Sequence, residues 1–255
     1  MSQGRFGLSR RAWLAVATLA LGGSAAVLWQ GRTPPLPPMT AERRRGLVFL
    51  RASGSGGGDA LNVGLPDAAP SPTLPPVDDL WPLLGDATTA PAMIQAPGTR
   101  SPGQPRIVAF YDYRCPFCRT NAPHLWRAAE AGEVDVVWRE WPILGPASIL
   151  AARAALAAWQ QDAYLPLHQG LMTTSFVPTE GLVQDLAERH GLDLDQFDRA
   201  MASPAIDAAL DHNAAIARAL GAQGVPVYVV DRVVIGGGFT LPQLLRLAER
   251  YRPNA

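Results

Sequence analysis

From Arg106 onward the chain alternates short aromatic and β-branched runs with longer segments whose apolar residues recur at helical spacing. Arg106-Ile-Val-Ala-Phe-Tyr-Asp-Tyr113 has the composition of a strand, and Arg119 to Ala131 reads as a helix stopped by Gly132. Pro146 to Gln161 is an alanine-rich helix with leucine and isoleucine at helical spacing, and Thr179 to His190 predicts a helix ending on Gly191. Asp193 and Gln196 have the spacing of a capping box, and Ser203-Pro204 opens a helical run that stops at Gly221. A strongly apolar strand follows from Gly224 to Val230, opened by Pro226, a residue tolerated only at the start or edge of a strand. Val233 to Ile235 is the last strand, and Gly236-Gly237-Gly238 turns it into a final helix capped by Thr240 with Gln243. This back half, residues 105–255, is about the length that one core needs.

The front half lacks that periodicity. Between Thr33 and Gln104, Pro34-Pro-Leu-Pro-Pro38, Gly54-Ser-Gly-Gly-Gly58 and Pro70-Ser-Pro-Thr-Leu-Pro-Pro76 bury too little apolar surface to order themselves. Residues 33–104 therefore read as a linker, largely disordered. Within it, Thr40 to Ala52 sets Arg43-Arg44-Arg45 beside Leu47-Val-Phe-Leu50, as a solvated charge run or a short amphipathic helix on anionic lipid, and Pro91-Ala-Met-Ile-Gln95 could add an edge strand. Further upstream, Arg5, Arg10 and Arg11 precede Ala12 to Trp29, eighteen residues without a charge. Residues 1–32 thus read as a signal peptide or membrane anchor. Ser24-Ala25-Ala26 offers a cleavage site, Gln30-Gly-Arg32 suits an uncleaved anchor, and Ser9-Arg-Arg-Ala-Trp-Leu14 resembles a twin-arginine signal. Positive charge stays inside, so the back half is expected to be periplasmic or otherwise extracytoplasmic, with membrane contact at residues 12–29.

Composition changes this picture in two ways. The 22 basic residues are all arginine and balance 22 acids, so no basic field marks a nucleic-acid binder. The only two cysteines are Cys115 and Cys118, placed where the first strand of the back half runs into a helix. At a helix N-terminus, unpaired N–H groups and the positive end of the dipole favour a thiolate. Pro116 suits the first helical position, which needs no donor, and Cys118, one turn inside, would be the buried, resolving thiol. A zinc site needs four ligands, which two cysteines and four scattered histidines supply poorly, and a structural disulfide over so short a loop stabilises little. No metal and no cofactor is expected. His124 reads as a surface or packing residue, His168, His190 and His212 as helix-surface or helix-end residues, and the triple glycine lacks the context of a phosphate loop.

Cys115-Pro116-Phe117-Cys118 together with Gly224-Val225-Pro226 resembles the thioredoxin superfamily, in which a cis-proline loop packs against a redox disulfide. The long helical interval between Cys118 and Pro226, the aromatic approach Phe110-Tyr-Asp-Tyr-Arg, and Trp141-Pro-Ile-Leu-Gly-Pro-Ala-Ser148 are similar to the DsbA family of thiol-disulfide oxidoreductases. The resemblance covers about Arg106 to Arg252. It implies an α/β, thioredoxin-like fold with a helical insertion, catalysis by Cys115 and Cys118, support from Pro116, Phe117 and a cis Pro226, and a client strand met by Val225. It further implies that the protein introduces disulfides into reduced exported proteins and is reoxidised by a membrane redox partner. The alternatives are a reductase or isomerase fed by a membrane electron donor, or a chaperone-like assembly protein with incidental thiols. The chain departs from the strongest oxidants of the family at Phe117, where they carry His. It departs again at Ala109, where thioredoxin-like proteins often bury an acid, leaving Asp112 and Glu140 as possible substitutes.

Overall fold

The computed structural model describes residues 35–44, 47–52 and 103–251. The chain divides into two units, Met1–Leu36 and Pro37–Ala255, and every element below belongs to the second. The strands are β1 (Met39–Arg44), β2 (Leu47–Ala52), β3 (Arg106–Tyr111), β4 (Asp135–Glu140), β5 (Val227–Val230) and β6 (Val233–Gly236). The helices are α1 (Pro116–Glu130), α2 (Pro146–Trp159), α3 (Tyr164–Thr173), α4 (Glu180–Arg189), α5 (Leu194–Met201), α6 (Pro204–Ala219) and α7 (Leu241–Arg250). The strands form one mixed sheet in the order β1-β2-β6-β5-β3-β4. β3 runs parallel to β4 and antiparallel to β5, and β5 runs antiparallel to β6.

Alternation along the strands divides the core between two faces. Val108, Phe110, Val137, Val227 and Val229 face α6, packing against Ile216, Ala217 and Leu220. Ala109, Tyr111, Trp138 and Tyr228 face the other way, toward Cys118, Ala122 and Leu125 of α1. The insertion between β4 and β5 is a helical layer in which α2 packs on α3 and α5. Six buried alanines on α2 permit that close approach, because each adds only a methyl group between helix axes. The helix ends obey local chemistry: Thr179, Asp193 and Ser203 cap α4, α5 and α6 through their side chains, Thr240 and Gln243 form a capping box on α7, and Gly191 and Gly221 close α4 and α6 at φ 72° and 67°.

One expectation needs correcting. Within the expected linker 33–104, residues Met39–Arg44 and Leu47–Ala52 form neither a solvated run nor an amphipathic helix but a pair of strands. β1 pairs antiparallel with β2, and Val48, Phe49 and Leu50 of β2 run parallel to Val233, Val234 and Ile235. Leu47 through Leu50 are all buried, Leu47 and Phe49 in the cluster beneath α6. Four consecutive apolar residues fit a strand covered on both faces as well as a helix turn, and their partner β6 lies far along the chain. The possible edge strand at residues 91–95 and the anchor at residues 12–29 lie outside the described residues. Among the described residues no helix is long and apolar enough to cross a membrane.

Candidate active site

Cys115 is the N-cap residue of α1, in extended conformation at φ −74° and ψ 119°, with Pro116 at the first helical position. Its sulfur accepts the Cys118 backbone N–H at 3.4 Å, and its own N–H donates to the Asp112 carbonyl at 3.1 Å. Both thiols are free and buried. The Cys118 thiol, donating to the Cys115 sulfur, does most to pull Cys115 down to about 7, and the N–H groups of Cys118 and Phe117 add to it. Burial and the negative charge of Asp112 oppose the shift. Cys118 moves the other way: burial, then its hydrogen bond to Cys115, push it well up. The two thiols are therefore unequal, with the outer one the readier thiolate.

The Val225–Pro226 peptide bond is cis. The Cys115 thiol lies 3.5 Å from the Val225 carbonyl oxygen, so backbone from the cis-proline loop meets this sulfur. Phe117 is 53 % exposed, and its ring lies over Gly238 so closely that an added Cβ there would sit 2.5 Å from it. Beneath, the Asn121 side-chain amide donates to the Tyr228 hydroxyl at 3.0 Å and the Phe239 carbonyl at 2.6 Å, tying α1 to β5 and the loop after β6. Asp112 fastens the loop before Cys115: Arg114 N and Ser148 Oγ donate to one carboxylate oxygen, Ile143 N and Leu144 N to the other, at 2.7–2.9 Å. Arg119 of α1 donates to the carbonyls of Tyr113, Leu171 and Thr174 and so clamps the active-site helix to the end of α3.

Behind Cys118 lies a buried polar cluster. Glu140 Oε1 accepts the hydroxyls of Tyr111 at 2.5 Å and of Tyr113 and Tyr164 at 3.0 Å, and the Tyr111 and Tyr164 hydroxyls also bond each other. His168 shares a hydrogen bond of 3.0 Å with Tyr113 through Nδ1 and packs on Trp138 at 4.4 Å between ring centroids. Burial raises Glu140 to about 8 although the three hydroxyls pull it down. Burial also holds His168 down at about 3, and raises the three tyrosines, with the Glu140 charge adding to that rise.

A family model, the DSBA-like thioredoxin domain, matches residues 106–248, more than half of the chain. The chain belongs to that family. Its DsbA-like domain superposes on the crystal structure of a thioredoxin-like oxidoreductase from Silicibacter pomeroyi with a TM-score of 0.58 and 38% identity, covering 65% of this chain and 95% of that one. It has the fold of the thiol-disulfide exchange protein alpha-DsbA2 from Wolbachia pipientis, with a TM-score of 0.59 and 20% identity over 68% of this chain and 96% of that one. A stretch of 94 residues, 36% of the chain, is 32% identical to the Na(+)/H(+) antiporter NhaA 3 of Salinispora tropica, of which it spans only 14%.

The DsbA-like fold brings Cys115, Pro116, Phe117, Cys118, Val225 and Pro226 into one locality; Phe110, Tyr111 and Tyr113 are buried, and Phe117 is exposed. The helix-surface reading of His168 is wrong: the residue is fully buried, because α3 is covered by α1 on one side and the sheet edge on the other. The Tyr164 and His168 pair, four apart on one helix, was the available signal. His124 and His190 are exposed. Since burial keeps His168 neutral while an unfolded chain protonates it near pH 6.5, its contribution to stability is full above 6.5 and is lost as pH falls toward 3. His168→Gln should therefore flatten the fall in urea midpoint over that interval, a difference on the order of 4 kcal/mol at the acid end. Parallel acid curves for the two proteins would refute this.

Proposed function

We propose that the protein is an extracytoplasmic protein-disulfide donor. In its oxidised form, a thiolate of a reduced exported protein attacks Cys115 Sγ. A bond between client and Cys115 forms, the Cys115–Cys118 bond breaks, and the electron pair passes to Cys118. A second client thiolate then attacks the client sulfur of the mixed disulfide, closing the client's disulfide and releasing Cys115 as thiolate. A membrane redox partner takes the two electrons and restores the protein disulfide. Pro116 and Pro226 shape the site, Phe117 offers apolar surface, and the Val225 backbone receives the client strand.

The observation that carries this reading is the Cys115 sulfur, stabilised as thiolate at the α1 N-terminus and 3.5 Å from the Val225 carbonyl. A thiol of low pKa is the better leaving group, which favours its release once the client's disulfide has closed. One observation favours the opposite direction, a reductase or isomerase fed by a membrane donor. Cys115 lies at about 7, near thioredoxin's value and far above the roughly 3.5 of the strongest oxidant, and Phe117 offers no charge to lower it further.

The reduction potential of the full chain, equilibrated in glutathione buffers and read by thiol alkylation, separates the two. A value between about −120 and −180 mV is the expected result and supports donation or shuffling. A value near −270 mV would assign the protein to reduction of its clients.

A further inference from the structure

Arg139 carries a buried charge that the thiol chemistry does not use. The residue is 4% exposed, and it stands two positions from Val137 on the face of β4 that packs against α6. Alternation sends its neighbour Glu140 to the opposite face, where the tyrosine hydroxyls enclose the carboxyl group. Arg139 Nη1 donates to Asn213 Oδ1 of α6 at 2.9 Å, and the Asn213 amide is itself held by donating to the Glu140 carbonyl at 3.0 Å. Among the described residues, Arg139 Nε and Nη2 have no hydrogen-bond partner, and no carboxylate forms an ion pair with Arg139. These two nitrogens form the side-on edge of the guanidinium, the fork that meets an anion through two parallel hydrogen bonds.

We propose that the Nε and Nη2 edge of Arg139 is a binding site for a small monovalent anion of the size and charge of chloride, enclosed between β4 and α6. Charge and access together select this class. A buried charge without a partner is costly, and an anion at the fork removes that cost. One negative charge balances one guanidinium, whereas a phosphate brings more charge than Arg139 neutralises. The carboxylate of a peptide or metabolite comes with a stem, and the fork atoms have no exposed surface through which a stem could leave. A monatomic ion has neither excess.

The surroundings of Arg139 fit an anion better than a water. Trp141 N continues the β4 ladder by donating to the Tyr111 carbonyl at 2.9 Å, so Trp141 falls on the same face as Val137 and Arg139 and packs in the cluster beneath α6. Its Nε1 is likewise buried without a partner among the described residues. The unmatched groups of Arg139 and Trp141 are thus all donors, which suits an acceptor, whereas a water brings two hydrogens of its own to place. Burial pulls Arg139 down to about 10, which still leaves it charged at neutral pH. That charge is felt on α6: burial first, and the Arg139 charge second, hold His212 below its ordinary value. An anion at the fork would relieve the second of these, so His212 reports on occupancy. α6 leads through residues 220–224 into the Val225 backbone that meets Cys115, so the anion would steady the helix that carries this loop.

The test is urea unfolding of the full chain near neutral pH and at constant ionic strength, with sodium chloride exchanged for sodium methanesulfonate, whose anion is too bulky for an enclosed fork. Raising chloride from about 1 to about 100 mM should favour folded wild type by about tenfold. Arg139→Met replaces the charge by an apolar chain, a change that buried ions often tolerate, and should lose the response. Arg139→Lys keeps the charge without the fork; it should lose most of the response, and it serves if the Met variant does not fold. The proton-NMR titration of His212, assigned with His212→Gln, should move upward in chloride in wild type and stay fixed in Arg139→Met. Crystals soaked in sodium bromide should show anomalous scattering within hydrogen-bond distance of Nε and Nη2. Wild type indifferent to chloride, an equal response in Arg139→Met, or a water in place of the anomalous signal overturns the assignment. A bromide peak without the chloride response in solution is binding at crystal concentration only and overturns it as well.

Discussion

Replacing Cys115 by Ser lowers thiol-disulfide exchange by roughly three orders of magnitude or more, and replacing Cys118 by Ser instead accumulates a mixed disulfide on Cys115. The asymmetry follows from the geometry. Cys115 is the thiol drawn down to about 7, at the head of α1 and against the Val225 carbonyl, so it is the sulfur that incoming groups meet. Cys118 is raised and buried behind it, so its work is intramolecular. Without Cys118, a client bound at Cys115 has no internal thiol to displace it and must wait for a second external one. Oxidised insulin or a glutathionylated peptide, offered to each variant and followed by mass spectrometry of the intact protein, reads both effects. Full activity of the Cys115→Ser protein in cells would make the thiols incidental and move the protein to a chaperone-like class.

A chain that begins at residue 105 unfolds at a markedly lower denaturant concentration than one that begins at residue 37. Leu47, Val48, Phe49 and Leu50 are each buried, and removing them also strips the hydrogen-bonding partner from β6. Burying one large apolar side chain is worth about 1.5–3 kcal/mol, and without β2 the apolar side chains of β6 and α6 that it covers are also returned to water. Within the intact chain, Phe49→Ala should cost about 3 kcal/mol on its own, since the pocket among Leu47, Val234, Ile216 and Leu220 cannot fully collapse. Guanidinium titrations followed by far-ultraviolet circular dichroism measure both. Equal midpoints for the two chain lengths would make β1 and β2 an accessory, and the domain would then begin where β3 does.

Much of the site was legible because its signals are local. A CxxC pair between a β-branched run and a helix with proline at its first position states its own geometry, and the helix caps at Thr179, Asp193, Ser203 and Thr240 act within one turn of chain. The place of Pro226 beside Cys115 was legible only through resemblance, since nothing in either segment specifies the other. Glu140 and His168 were readable as residue types but not as a pair of opposed titrating groups. Their environment comes from Tyr111, Tyr113, Tyr164 and Trp138, which are contributed by β3, the loop after it, α3 and β4.

By itself, then, the sequence determined the types of β3, α1, α2, α4, α5, α6, β5, β6 and α7 but not of β4 or α3, together with the cysteine pair and the inequality of its two thiols, because dihedral preference, capping and a helix dipole act over a few residues. Tertiary structure alone decided that Leu47–Leu50 is an interior strand, that His168 is buried, and that Glu140 is enclosed by the hydroxyls of Tyr111, Tyr113 and Tyr164. Each of these depends on desolvation by partners remote in sequence: a buried strand needs a neighbour to take its hydrogen bonds, and a carboxyl group shifts its proton affinity only when packed segments exclude water from it.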